Sequence, residues 1–271
     1  MSEVDPLLID ATTKIFEDLS DPQTLNSAKN DDWRFALWSA LEESGLTLAW
    51  VPSKNGGSGA TLADGFSILE VAGKFAVPIP LGETLLAGWL LSQGEINSPA
   101  GMMTIAPVRP RDKIELTAEN TLTGSVFGIP FASSVANIAV IANKDDRLYI
   151  ALVSSKDCTI TSKTGLSGDS RDTITFLNTQ PIQVSPAPKN MSTQDLHLMG
   201  ATVRSMQISG ALQSILKLAT DYAKERVAFE KQISKFQAVQ HNLAKLANET
   251  AVAIAAAGSA MDLSLIHISE P

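Results

Sequence analysis

The spacing of apolar residues changes period twice along this chain, from helical to alternating and back to helical. In residues 1 to about 95, Trp33, Leu37, Ala40 and Leu41 fall at helical spacing within Asp31–Glu43, and Gly45 follows as a stop. A turn-rich loop then runs from Leu46 to Gly59. Thr61 and Asp64 have capping-box spacing before a helix whose inward stripe is Phe66, Leu69, Ala72 and Gly73. Pro78 and Pro80 end that helix, and Gly82–Gln93 predicts another. From Met102 to about Val184 short β-branched runs take over: MTIAPV, KIELTA, ANIAVIA, RLYIALV and TITFL. Turn formers separate them, which predicts an antiparallel barrel or sandwich. Pro181, Pro186 and Pro188 read as a linker.

Helices return with a second capping box, Ser192 and Asp195. Met199, Val203, Met206, Ala211, Ile215, Leu218 and Tyr222 sustain an apolar face over about seven turns. Ser234 and Gln237 read as the cap of a last helix running through Asn242–Met261. The fold class expected is therefore α+β. It comprises an N-terminal helical domain (residues 1–98), a middle antiparallel β-barrel or sandwich domain (99–190) and a partial C-terminal helical bundle (191–262).

Hydrophobic residues make up 44% of the 271, enough for a sizeable core. With 21 Lys+Arg against 29 Asp+Glu the net charge is −8, which argues against a nucleic-acid partner and against docking on an anionic membrane. The single Cys158 allows no internal disulfide and no cysteine-based zinc site. The opening MSEVDPLLID lacks a signal-peptide layout. The longest uncharged run, Asn120–Asn143, is broken by Gly124, Gly128 and Pro130, so it reads as strands and a turn. A cytoplasmic protein is expected.

Few motifs carry chemistry. Gly57-Ser58-Gly59 begins a dinucleotide fingerprint, but Leu62 stands where the third glycine belongs. His197, His241 and His267 are too scattered for a metal site, and no metal ligand set is expected. The informative stretch is Asp221–His241, DYAKERVAFEKQISKFQAVQH. Arg226 offers a two-pronged cation, and Phe229 and Phe236 offer walls for a flat ring. Gln232, Ile233 and Gln237 complete the cluster at a helix end, a turn and a helix start, a place that suits an anion. On residue types alone, an ordinary helix hairpin with a surface arginine is the plainer reading.

This stretch resembles the acyl-CoA dehydrogenase signature, roughly Y-A-x-x-R-x-x-F-G-x-x-I-x-x-F-Q. The likeness extends to Gly45-Leu46, Val51-Pro52 and Gly56–Gly59, which look like the family's G-L-x-x-x-x-x-P-x-x-x-G-G-x-G loop, and to Phe75–Pro80. The resemblance implies the helical–β–helical order and FAD held without a Rossmann motif. It implies an acyl-CoA substrate dehydrogenated to a trans-2-enoyl-CoA, an electron-transfer flavoprotein-type acceptor, and a homo- or heteromeric assembly. By position Arg226 would bind the FAD pyrophosphate, with Phe229, Gln232, Ile233, Phe236 and Gln237 around it. Ile129–Ser133 matches a segment beside the flavin, with Phe131 in place of the usual tryptophan and Ser133 as its partner. Arg204 matches an arginine near the substrate thioester.

The chain also departs from that pattern. Val203 occupies an alternative position for the catalytic glutamate and cannot take a proton, and the resemblance puts the commoner base far downstream in a helical region this chain does not contain, so no catalytic residue is assigned. The usual T-E-P-x-A-G-S-D strand is missing, as in a shorter bacterial branch. Glu230 replaces a glycine, which places a negative charge near the expected pyrophosphate. Residues 263–271, LSLIHISEP, match nothing expected and read as a non-native tail on a C-terminally truncated fragment, whose activity is therefore in question. Two other functions stay open: a non-catalytic partner subunit, and a flavin oxidase or monooxygenase on the same fold. Trp89, Met102 and Met103 read as core rather than as an acyl pocket.

Overall fold

A computed structural model describes residues 4–28, 32–166 and 168–268. The N-terminal part holds α1 (Pro6–Leu19), α2 (Pro22–Ser27), α3 (Trp33–Glu43), α4 (Leu62–Phe75) and α5 (Leu81–Gln93). Asp31, where the α3 pattern was expected to begin, lies outside the described residues. Both expected capping boxes form. In the first, Asp64 Oδ2 accepts from the Thr61 N–H at 3.0 Å while Oδ1 accepts from the Asp5 N–H at 3.0 Å. One carboxylate therefore ties the start of α4 to the start of α1. The Phe66–Leu69–Ala72–Gly73 stripe is buried as expected.

The middle part is one eight-stranded sheet: β1 (Met103–Ala106), β2 (Glu115–Leu116), β3 (Leu122–Ile129), β4 (Asn137–Lys144), β5 (Arg147–Ser154), β6 (Thr159–Thr161), β7 (Asp172–Thr179) and β8 (Gln183–Pro186). The order is β6-β7-β3-β2-β4-β5-β8, with β1 beside β4. Of the two expected forms, the sheet is sandwich-like and not a closed barrel, because β6 and β8 end the path without meeting. It is also not purely antiparallel: β1 and β2 both run parallel to β4. Strand β8 lies inside the stretch expected to be a linker. Its one proline, Pro186, is tolerated because β8 is an edge strand, paired only with β5.

Strand β4 explains how the sheet joins the helices. Ile138, Val140 and Ala142 face one core with Ile114, Leu122, Val126 and Phe176. Ala139 and Ile141 face the other core, with Leu85, Trp89 and Leu90 of α5. With a core on each face of β4, Ile138–Ala142 reads as an unbroken apolar run. Trp89 and Met103 belong to the helical core, and Met102 packs against it.

The C-terminal part is a hairpin of two long helices, α6 (Thr193–Glu225) and α7 (Gln237–Ile268), joined by the short ribbon β9 (Val227–Ala228) and β10 (Lys231–Gln232). Two expectations are corrected here. Ser234 does not cap α7: it lies in a 3-10 turn, Ile233–Lys235, and its carbonyl accepts from the Gln240 side chain at 3.0 Å. The Gln240 N–H instead reaches the Phe236 carbonyl, which starts the helix at Gln237. The apolar face of α6 is buried only in its first half. Met199, Val203 and Met206 are in the core, whereas Ile215, Leu218 and Tyr222 are exposed. Residues 263–268 of the expected tail continue α7, and the Ser264 hydroxyl meets that of Thr202 at 3.1 Å. Residues 269–271 lie outside the described residues.

Helices α4 and α6 cross at backbone contact. A Cβ on Gly73 would lie 2.1 Å from the Gln207 carbonyl oxygen, and one on Gly210 would lie 1.9 Å from that of Glu70. Around the crossing, Ser209 and Gln213 donate to Glu70 Oε1 at 2.9 and 2.5 Å, and Ser214 donates to the Lys74 carbonyl at 2.7 Å. Among the described residues no helix is long and apolar enough to cross a membrane.

Candidate active-site cleft

A cleft of about 650 Å³ opens between the sheet and the helices. Its sheet wall carries Ile105, Arg109, Gly128 and Phe131. Its helical wall is the α4–α5 connection and one face of α6, with Ile79, Glu83, Leu86, Arg204 and Gln207. Phe131 reaches this wall from a left-handed backbone conformation, φ 56°, that turns the chain out of β3. Its N–H donates to Ser170 Oγ at 3.1 Å. The turn is fixed by Asp172, a 1% exposed carboxylate that accepts from the N–H groups of Ser133 at 2.8 Å and Lys163 at 3.1 Å. Ser133 itself is exposed and contributes its backbone to this network. Sequence reasoning missed Asp172, because an acid at the start of a strand gives no sign of what its oxygens hold.

Glu83 and Gln207 were also missed. Glu83 opens an otherwise apolar helix, where an acid is unremarkable as a partner for the helix dipole. Its side chain is 3% exposed and forms an ion pair with Arg204 Nη2. Arg204 Nη1 donates to Gln207 Oε1 at 2.6 Å. The guanidinium is thus oriented by two acceptors while half of it stays open to the cleft, at 48% exposure. Val203 is fully buried and faces the start of α5, where a Cβ on Gly82 would lie 3.0 Å from Val203 Cγ1.

His197, one helical turn before Ala201 on α6, borders this cleft and a second cavity of about 490 Å³ under the sheet edge. Its Nε2 is buried without a hydrogen-bond partner. Burial holds its pKa below the ordinary imidazole value. An unfolded imidazole protonates near pH 6.5, and the folded one only at lower pH. Between those values the unfolded state carries more protons. The stability linked to His197 is therefore fully present above about pH 6.5 and is lost as pH falls through the folded pKa. A thermal-unfolding series from about pH 7.5 to 5 should show a steeper acid-side loss in the wild type than in His197→Gln.

The Arg226 cluster lies elsewhere. Arg204 and Arg226 are 22 residues apart on α6, roughly 33 Å at the helical rise. At the hairpin tip the Arg226 carbonyl accepts from the Ile233 N–H at 2.9 Å, which closes the ribbon. Phe229 and Phe236 meet edge to face at 6.2 Å, and Lys231 Nζ lies 4.3 Å from the Phe236 ring centre. Phe229 is 90% exposed, Gln232 and Gln237 are exposed, and Ile233 is half-buried. Phe229 and Glu230 both have left-handed backbone, φ 51° and 63°, as the two centres of a tight hairpin turn. Such a turn favours glycine, so Glu230 carries backbone strain. The chain therefore gathers its expected site residues into two groups: Phe131 and Arg204 at the cleft, with Ser133 backing Phe131, and Arg226, Phe229, Gln232, Ile233, Phe236 and Gln237 at the tip.

Fold and site together define a helix–sheet–helix protein with an interdomain cleft and a basic, aromatic hairpin tip. Residues 193–264 match the family model described as acyl-CoA dehydrogenase, C-terminal domain. The chain is 27% identical over 251 residues to acyl-CoA dehydrogenase IpdE2 of Mycolicibacterium smegmatis, covering 91% of this chain and 73% of that relative. It shares its fold with the Tcur3481-Tcur3483 steroid ACAD G363A variant, at TM-score 0.79 and 22% identity, over 94% of this chain and 77% of that one. It likewise matches the ChsE4-ChsE5 complex from Mycobacterium tuberculosis, at TM-score 0.77 and 19% identity, over 95% and 78%. Residues 193–264 thus carry the acyl-CoA dehydrogenase C-terminal domain pattern, and the chain as a whole is similar to acyl-CoA dehydrogenases in sequence and fold.

Proposed function

We propose that this chain is a subunit of an FAD-dependent acyl-CoA dehydrogenase, forming a trans-2-enoyl-CoA and passing electrons to an electron-transfer flavoprotein-type acceptor. The observation that carries this reading is the pairing of two separated groups on one helix, a cleft with an aromatic wall and a cation, and a basic aromatic tip. The tip's donor set fits a diphosphate joined to a flat base. Arg226 supplies paired N–H donors, Lys231 a second cation, and Phe229 and Phe236 apolar faces. The cleft fits the other end of such a cofactor, with Phe131 as its wall. A span of roughly 33 Å between Arg204 and Arg226 favours a composite site, with the tip of one chain serving the cleft of another.

FAD, when bound, takes the hydride from the acyl Cβ. The rest falls to the protein. Phe131 lines the place for a planar ring, and Ile79, Leu86 and Ile105 give the cleft apolar surface beside it. Arg204, held by Glu83 and Gln207, directs N–H donors into the cleft. The likeness in fold to a steroid acyl-CoA dehydrogenase supports a sterol-derived acyl group.

A second reading is favoured by Val203. A fully buried valine stands at an alternative base position, which leaves the proton acceptor to another position or to a family partner. The ChsE4-ChsE5 complex, with which the chain shares its fold, gives that arrangement a parallel. One experiment tests both readings. The purified chain, alone and co-expressed with a homologous subunit, is given FAD and then an acyl-CoA without oxygen. Flavin uptake followed by bleaching supports the dehydrogenase, and bleaching only with the partner supports the second reading. A colourless protein that refuses added FAD in both preparations ends the proposal.

A further inference from the structure

We infer that the Glu83–Arg204–Gln207 cluster reads a neutral oxygen on the acyl group, a ring ketone rather than a hydrocarbon or a carboxylate. This deepens the acyl-CoA reading of the cleft and rests on it. A cleft built for plain hydrocarbon gains nothing from a 3% exposed carboxylate, since an ion pair of that kind is often replaced by apolar side chains without loss of stability. Here the pair is retained, and the Gln207 amide oxygen takes a second guanidinium N–H at 2.6 Å.

The arrangement is polarised in one sense. Arg204 is 48% exposed and lines the cleft, so N–H capacity remains beyond the two bonds it makes. A ligand meeting it must therefore accept a hydrogen bond. Charge narrows the choice further. Glu83 already neutralises Arg204, so a carboxylate arriving at this guanidinium meets a paired cation and lies near a buried negative charge, and only Arg109 and Arg171 elsewhere on the wall would offset that. A ketone oxygen accepts from Arg204 without that repulsion. Around the cluster, Ile79, Leu86, Ile105 and Leu196 supply the apolar surface a carbocyclic skeleton needs. Glu83 and Gln207 act as positioning residues and Arg204 as the group that touches the ligand.

The test uses the flavin-loaded protein and three CoA thioesters, whose acyl chains end in a cyclohexanone ring, a cyclohexane ring and a carboxycyclohexane ring. Calorimetry should show the cyclohexanone thioester binding on the order of tenfold or more tightly than either other. The double variant Glu83→Leu/Arg204→Met removes both charges together and so avoids stranding one. It should bind the cyclohexanone and cyclohexane thioesters within about twofold of each other. Gln207→Leu leaves the ion pair in place and should shrink the preference, which keeps the test usable if the double variant does not fold.

Equal binding of the ketone and hydrocarbon thioesters by the wild type would overturn the inference while leaving the acyl-CoA reading standing. So would a preference that survives the double variant. If the double variant weakens both equally, Arg204 serves the thioester carbonyl instead. If no thioester binds at all, the acyl-CoA reading falls and takes this inference with it.

Discussion

Gly210→Ala should lower the protein's stability by about 3–5 kcal/mol, the largest effect expected from adding one methyl group anywhere in the helical core. The new Cβ would lie 1.9 Å from the Glu70 carbonyl oxygen and 2.9 Å from the Lys74 backbone nitrogen. Neither is the free end of a side chain, so α4 and α6 must move apart. The separation stretches the Ser209–Glu70, Gln213–Glu70 and Ser214–Lys74 bonds together, each worth about 1 kcal/mol. Gly258→Ala is the control. No atom lies within 4 Å of its added Cβ, and its helical backbone should gain about 0.5–1 kcal/mol. Denaturant unfolding of the two variants, compared with the wild type, checks both signs. Near-equal midpoints would show that the crossing is looser than the contacts described here.

Arg226→Gln should weaken FAD binding by about ten- to a hundredfold, the usual worth of a charge-assisted bond to phosphate. Arg226 is exposed at the helix end and its backbone N–H is already used by Tyr222, so the substitution removes side-chain donors and leaves the fold intact. Glu230→Gly should act in the opposite direction. It removes a negative charge from the tip and relieves a left-handed residue at φ 63°. Titration of apoprotein with FAD, followed by flavin fluorescence, measures both. The opposed signs matter more than either size. Equal affinities in all three proteins would mean that the tip does not hold the cofactor.

Much of this architecture was legible in the sequence. The period switch gave the α+β class, and the two capping boxes placed the starts of α4 and α6. These signals are local: a capping carboxylate sits three residues from its partner, and alternation needs only a handful of positions. The missing parts are non-local. The parallel pairing of β1 with β4 joins segments more than thirty residues apart and leaves no mark in either strand's composition. Glu83 and Arg204 are 121 residues apart, so their pairing was not readable from either neighbourhood. The distal stripe on α6 failed for a different reason. Ile215, Leu218 and Tyr222 obey the helical period, but period shows which side of a helix is apolar and not whether another element covers it.

The tip cluster was found as a set because its members are contiguous in the chain. The same contiguity hid its distance from Phe131 and Arg204. Only the length of α6 reveals that Arg204, in its first half, and Arg226, just past its end, lie roughly 33 Å apart.

That geometry makes α6 a ruler with an angular scale. Each residue advances the helix by about 1.5 Å and turns it by about 100°. A single residue inserted between Gly210 and Arg226 would barely change the length, yet it would swing the hairpin tip a quarter-turn or more away from its present bearing. The glycine crossing clamps the near end, so the far end must absorb the whole rotation. Only an insertion close to a whole number of turns would leave the tip near its present bearing.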